Sequence, residues 1–180
     1  MATTTKAPSP EELRELELSG LRYEIVDGEV RVSPAGLQHG NINLRIAVRL
    51  MAFVETHQLG QVFDSSTGFR MPGGNLRAPD VAFVAKHRLP VGKLPRSPGQ
   101  MAPDLVIEVL SPDASPREVL DKVGEYLSAG APLVWVIDPK TETAAAYRSL
   151  TDVARVPKNG ILDGEDVLPG FRLPLAELFA

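Results

Sequence analysis

The chain contains no cysteine, so disulfide bridges and thiolate-bound metals are excluded from the start. Its three histidines, His39, His57 and His87, show no H-x-x-x-H spacing, which argues against a zinc protease. Long hydrophobic runs are also missing. No stretch reaches the ~18 apolar residues of a membrane span, and Met1 to Pro10 has neither the basic start nor the apolar core of a secretory leader, so a cytoplasmic protein without membrane attachment is expected. Aromatic residues make up 6%, and no base-stacking platform can be traced among them. What remains, 43% hydrophobic and 23% charged residues over 180 positions, has the make-up of one ordinary globular domain with a real core.

Acidic residues are unevenly spread. Between Ser65 and Pro103 only Asp80 is acidic, beside Arg70, Arg77, Lys86, Arg88, Lys93 and Arg96, a window of 39 residues at net +5. The other 141 residues carry 13 basic and 22 acidic side chains, net −9. A basic segment around one carboxylate fits a polyanionic substrate, and it equally fits a solvated loop face.

Local signals divide the chain into elements. Residues 1–10 are rich in Thr, Pro and Ala and are expected to be a disordered tail, followed by a single domain over 11–180 that begins with a short helix at Glu11 to Leu18. Asp27-Gly28 between Leu21–Val26 and Glu29–Ser33 predicts a β-hairpin, because Asp-Gly accepts the positive φ of a type I′ turn. Ile42, Ile46, Leu50, Phe53 and Val54 fall at helical spacing and predict a long core helix from Leu37 to Gln58. Strands are expected at Gln61–Arg70 and Arg77–Val84, joined through Pro72-Gly73-Gly74. The proline-rich loop Ala85–Pro103 is long enough to be functional.

Asp104–Leu110 is nearly continuous in apolar residues and reads as a central strand. Ser115, Pro116, Glu118 and Gly130 punctuate a helix over 115–129 as N-cap, first position, capping partner and terminator. Leu133–Ile137 and Ala144–Arg148 are further strands, turned through Asp138-Pro139-Lys140-Thr141. The order strand, helix, strand over 104–137 is a crossover, hence a parallel pair within a mixed sheet. A closing hairpin and a short helix near Ala176 complete the chain.

Three residues stand out chemically. Asp80 and Glu108 lie in β-branched, apolar segments, where an ionised carboxylate is costly without compensation, and a divalent cation is the natural compensator. Asp104 shares a strand with Glu108, but four residues at ~3.3 Å each separate them by roughly 13 Å, too far for one ion. Lys122 lies on the flank of the apolar stripe formed by Val119, Leu120, Val123, Tyr126 and Leu127, from which its ammonium can reach the end of the Glu108 strand. An ordinary boundary lysine has the same pattern. Tyr126 reads as core.

Several motifs in order, Pro79-Asp80, Glu108-Val109-Leu110-Ser111-Pro112, Asp121-Lys122 with Tyr126, and Trp135-Val136-Ile137-Asp138-Pro139, resemble the Uma-type family of bacterial putative restriction endonucleases, within the PD-(D/E)XK nuclease superfamily. The hairpin Tyr23-Glu24-Ile25-Val26-Asp27-Gly28-Glu29 is similar to that family's N-terminal signature, so the likeness spans roughly residues 21–150. It implies an α/β fold with a restriction-endonuclease-like core: a mixed central β-sheet flanked by helices, preceded by a β-hairpin. One position departs from the superfamily pattern, since Leu110 stands where a lysine usually follows the glutamate. The resemblance supplies Lys122, on the next helix, in its place.

The same resemblance implies a Mg²⁺-dependent endonuclease acting on DNA, with Mn²⁺ as a possible substitute. Asp80 and Glu108 would be the metal ligands, joined by a backbone carbonyl of Ile107 or Val109, with Lys122 beside the attacking water. Glu24 either completes the acidic cluster or is a plain hairpin carboxylate. His39 either packs or touches substrate, with Arg70 and Arg77 as further substrate-binding candidates. A homodimer suits the cutting of both strands of a duplex. The rival reading is a nuclease fold without turnover that serves as a nucleic-acid or protein interaction module.

Overall fold

The computed structural model describes residue 9, residues 23–31 and residues 36–180. The expected tail, apart from Ser9, and the expected helix at Glu11–Leu18 lie outside the described residues. Among the described residues, no helix is long and apolar enough to cross a membrane.

The hairpin forms as its turn dictates. Strands β1 (Glu24–Val26) and β2 (Glu29–Arg31) pair antiparallel around Asp27 and Gly28, at φ 52° and 82°, the positive values a type I′ turn requires. Next comes helix α1 (Leu37–His57), which buries Ile42, Ile46, Leu50 and Val54 along one stripe. Strands β3 (Gly60–Asp64), β4 (Phe69–Arg70), β5 (Leu76–Arg77) and β6 (Val81–Ala85) follow.

Two segments expected to be single strands are each broken in two. Gln61–Arg70 is interrupted after β3, where Asp64 Oδ1 accepts from the Ser66 N–H at 3.2 Å and the Ser66 hydroxyl at 2.7 Å, stabilising a turn in place of a ladder. Arg77–Val84 is interrupted by Ala78-Pro79-Asp80, and proline has no N–H to give a ladder. The break moves the chain between sheets. β5 belongs to a four-stranded sheet ordered β2-β1-β5-β4, whereas β6 belongs to the main sheet. Asp80 is the last residue before the chain re-enters the main sheet at β6.

The main sheet continues with β7 (Leu105–Val109), helix α2 (Pro116–Ser128), β8 (Leu133–Asp138), β9 (Thr143–Tyr147) and β10 (Val153–Val156), and its strand order is β10-β9-β8-β7-β6-β3. Only β7 and β8 run parallel, joined by the α2 crossover; the other neighbours are antiparallel, so the sheet is mixed. Helix α2 starts where its punctuation predicts. Ser115 accepts from the Glu118 N–H at 3.2 Å while the Glu118 carboxylate reaches back to Ser115, a capping box worth about 1 kcal/mol.

The pleat sorts the core into two layers. Leu105, Ile107 and Val109 of β7 pack with α1, whereas Val106 packs with Val123 and Tyr126 of α2. Glu108, between Ile107 and Val109, therefore turns toward α2. The chain closes with the hairpin β11 (Ile161–Asp163) and β12 (Arg172–Pro174) and a short 3-10 turn at Leu175–Leu178, whose apolar residues join the α1 layer.

Candidate active site

β6 and β7 pair antiparallel with Val81 opposite Ile107, so extending the register by one residue sets Asp80 opposite Glu108. Both are buried, at 3% and 8% exposure. Asp80 is fixed by the backbone of the other strand, its Oδ2 accepting the Val109 N–H at 2.8 Å. Glu108 is fixed by α2. Its Oε2 lies 3.0 Å from Lys122 Nζ, and its Oε1 accepts the Tyr126 hydroxyl at 2.8 Å. Lys122 and Tyr126 are one helical turn apart, so the two contacts come from one face of α2.

Burial, reinforced by the nearby Asp80 and Glu24 carboxylates, pushes the Glu108 carboxyl up to about 7 against the opposing pull of Lys122 and the Tyr126 hydroxyl. Burial lowers the Lys122 ammonium, but Glu108 and Glu24 outweigh it and hold the group above its ordinary value. Tyr126 is raised well above 10 by burial and by the same two carboxylates, so its hydroxyl keeps its proton and remains a donor.

Glu24 is not an exposed hairpin carboxylate. Its side chain is 14% exposed, and Oε1 lies 3.1 Å from Lys122 Nζ and 3.0 Å from the Ala78 N–H that donates to it. Arg77 NH1 lies 3.4 Å from Oε2. Burial alone would raise Glu24, yet Lys122, the Ala78 N–H and Arg77 together bring it below its ordinary value. It therefore stays charged and fastens both Lys122 and the backbone leading to Asp80.

Arg77 sits differently from a substrate contact. It is 6% exposed, its guanidinium pairs with the Glu125 carboxylate, with Nε at 2.6 Å from Oε2, and it also faces Glu24. Its charge is spent inside the fold. Arg70, on β4, is half-buried and its guanidinium donates to the Gly74 carbonyl at 3.2 Å, which leaves it the more accessible of the two. Exposed Lys86, Lys93 and Arg96 belong to the loop leaving β6 at Ala85, the end away from Asp80. Arg88 in that loop pairs with Asp104 at 2.8 Å, which keeps Asp104 at the start of β7 and away from the site, as the 13 Å argument requires.

His39 reaches the same point from α1. Its Nε2 lies 3.1 Å from Asp80 Oδ2 and 2.9 Å from the Val109 carbonyl, and Asn43 contacts its Nδ1 at 3.2 Å. The sequence reading missed Asn43 and Glu125. The first is legible in retrospect as i+4 from His39 on the same helix; the second gave no signal, since its partner Arg77 is distant in the chain.

The donor set is made of hard oxygens: two buried carboxylates and a backbone carbonyl. Among the described residues, no three His, Cys, Asp or Glu side chains already form a complete metal cage. Mg²⁺ does not need one, because it is commonly held by one or two carboxylates and completes its shell with water and phosphate oxygens. Carboxylate oxygens that accept one hydrogen bond keep a second lone pair for an ion. The residues fit such a cation, which would offset the burial that raises the Glu108 carboxyl.

The fold has relatives. No curated protein matches this chain. A solved structure described as that of a "putative nuclease belonging to DUF820", from Anabaena variabilis, superposes with a TM-score of 0.81 at 21% identity, covering 94% of this chain and 96% of the other. At that identity the likeness shows the fold, a nuclease-type mixed α/β core. The model of the Uma2 family, described as "Putative restriction endonuclease", matches residues 10–176, nearly the whole sequence, and so this chain belongs to the Uma2 family.

Proposed function

We propose that the protein is a Mg²⁺-dependent DNA endonuclease that hydrolyses phosphodiester bonds. One observation carries the reading: two buried carboxylates on neighbouring strands, Asp80 and Glu108, with the Lys122 ammonium 3.0 Å from the second. In this reading Asp80 and Glu108 hold the ion, with Mn²⁺ able to replace Mg²⁺. Such an ion would supply Lewis-acid chemistry at a phosphodiester oxygen and at water. Lys122 would orient the attacking water and offset charge developing on phosphorus. Glu24 and Tyr126 act through others, the first holding Lys122 and the second holding Glu108. Arg70 meets the phosphate backbone, and Arg77 keeps Glu24 in place. The cytoplasm is the place of action in this reading, and a pair of copies related by a twofold axis would bring one site to each strand of a duplex.

Incubation of the purified chain with supercoiled plasmid and with single-stranded DNA, in Mg²⁺, Mn²⁺ or EDTA, tests the proposal. Nicked or linear products with either cation and none with EDTA are expected, and Asp80→Ala should abolish them while leaving the circular dichroism unchanged. DNA binding without cleavage under every condition would overturn the enzyme and favour a nuclease fold that serves only to bind.

A further inference from the structure

We infer that the outward face of α1 is the interface between two copies of this chain, paired antiparallel about a twofold axis that passes between Leu44 and Val48. The inference goes beyond the nuclease reading and does not depend on it. Helix α1 is apolar on two opposite sides. Its inner stripe, Ile42, Ile46, Leu50 and Val54, is buried in the core against the main sheet. On the other side Leu37, Leu44, Val48 and Met51 are 96%, 62%, 57% and 44% exposed. At 100° per residue these four fall within an arc of about 60°, opposite the buried stripe. A helix that is apolar on both sides calls for cover on both.

The spacing of the outer stripe says what covers it. Leu37, Asn41, Leu44, Val48, Met51 and Glu55 follow one another at alternating intervals of four and three, the seam of a heptad, whose side chains pack into the holes of another helix. Among the described residues the other α-helix, α2, exposes one large apolar side chain, Leu120, and so offers no matching seam. The seam therefore meets its own copy, and a twofold axis makes the two faces complementary. The arginines beside it are drawn off to one flank: Arg49 Nε lies 3.0 Å from Glu177 Oε2, and Arg45 donates to the Glu177 carbonyl at 3.1 Å. The four apolar side chains offer roughly 400 Å² per copy, about half of the ~800 Å² that each partner gives to a stable interface. Exposed Gln38, Asn41 and Glu55 add the polar rim.

Charge decides the direction. In a parallel pair Glu55 would face the partner's Glu55, two carboxylates in one layer. Antiparallel pairing in full register sets Leu37 against the partner's Glu55, Asn41 against the partner's Met51 and Leu44 against the partner's Val48. Each Glu55 then lies at the start of the other α1, where the N-cap Gly36 gives no side-chain hydrogen bond and the first turn holds no acidic residue. The carboxylate meets the positive end of a helix dipole that has no other anion in its first turn.

Analytical ultracentrifugation of the full chain, in EDTA and without DNA, tests the pairing. The unaltered chain is expected to sediment at twice the 19.4 kDa of one copy at micromolar concentration. Val48→Glu, which places two unpaired carboxylates beside the axis, should raise the dissociation constant by about 100-fold or more and, since Val48 is exposed, leave the circular dichroism unchanged. The chain has no cysteine, so introduced thiols report the direction. Oxidation should cross-link a mixture of Leu37→Cys and Glu55→Cys chains but neither variant alone, because identical ends of the paired helices are about 27 Å apart along their length.

Sedimentation as one copy at every concentration into the high micromolar range overturns the inference. A single copy whose Val48→Cys thiol resists alkylation also overturns it, by showing that another segment of the same chain covers the stripe. A dimer that Val48→Glu does not weaken places the interface elsewhere, and cross-linking of each cysteine variant with itself overturns the antiparallel direction. A dimer that cuts no DNA keeps this interface and overturns the nuclease alone; a monomer that cuts DNA overturns the interface alone.

Discussion

Glu24 Oε1 lies 3.1 Å from Lys122 Nζ, and this pair ties the N-terminal hairpin to the crossover helix that also carries Glu108's partners. The hairpin touches β5 by a single paired position, Ile25 opposite Leu76, so side chains contribute much of its attachment. Glu24→Gln should lower stability by about 3 kcal/mol, in the range for removing one member of a buried ion pair. It should also slow cleavage, because Lys122 loses one of its two anchors. Mn²⁺ affinity should hardly change, and a large loss of affinity would show that Glu24 ligates the ion itself. Urea unfolding and a metal titration on the same preparation separate the two roles.

Stability should respond to pH through Glu108. Its carboxyl is raised from 4.5 to about 7 in the folded chain, so between those values the folded state binds more protons than the unfolded one. The contribution to stability is complete below the unfolded value and is lost as pH rises through the folded one, a loss of about 3 kcal/mol at 1.36 kcal/mol per unit. Glu108→Gln cannot ionise. Its stability relative to the unaltered chain should therefore climb from pH 4.5 to above 7, as followed by urea unfolding in EDTA. Parallel pH profiles for the two proteins would contradict the assigned burial cost. Adding Mg²⁺ to the unaltered chain should flatten its profile, because the ion favours the ionised carboxylate.

The two arginines of β4 and β5 should separate cleanly. Arg77→Ala leaves Glu24 and Glu125 without their shared cation and should cost about 3–5 kcal/mol in stability. Arg70→Ala should leave stability within about 0.5 kcal/mol and weaken DNA binding, reducing the slope of log affinity against log salt by about 1. Thermal melts and salt-dependent fluorescence anisotropy report the two effects independently. An unchanged salt slope would remove Arg70 from the phosphate interface.

Lys122→Met should reduce cleavage by at least about 100-fold while Mn²⁺ still binds, since general acid, base and electrostatic contributions are of that order. The variant leaves Glu108 and Glu24 facing each other without the ammonium. Mg²⁺ should therefore raise its melting temperature more than it raises that of the unaltered chain. Equal loss of metal binding and cleavage would make Lys122 a structural counter-ion.

The elements that the sequence reveals are those whose signals are local. Asp27-Gly28 specifies a turn through its φ values, Ser115 and Glu118 set a helix start three residues apart, and the apolar run around Leu105–Val109 requires burial on both faces. Family membership is legible for the same reason, being a matter of short motifs in order. Asp80 and Glu108 are conspicuous because a carboxylate among β-branched residues needs compensation wherever it ends up. The break between Arg77 and Val81 is harder to see. Pro79 hints at it, but the apolar run from Val81 follows at once, and the segment reads as one strand.

By itself, then, the sequence determined the hairpin, the two helices and the crossover, because propensity, capping and hydrophobic period act over a few residues, and it offered Asp80, Glu108 and Lys122 as candidates. Only the tertiary structure decided that Arg77 turns inward to Glu24 and Glu125, that Tyr126 donates to Glu108, and that His39 meets Asp80 across the end of the sheet. These contacts join residues far apart in the chain, and charge alone does not say which partner a buried side chain will find. Strand register and helix packing bring the groups within reach, and the cost of leaving any of them unpaired selects the arrangement.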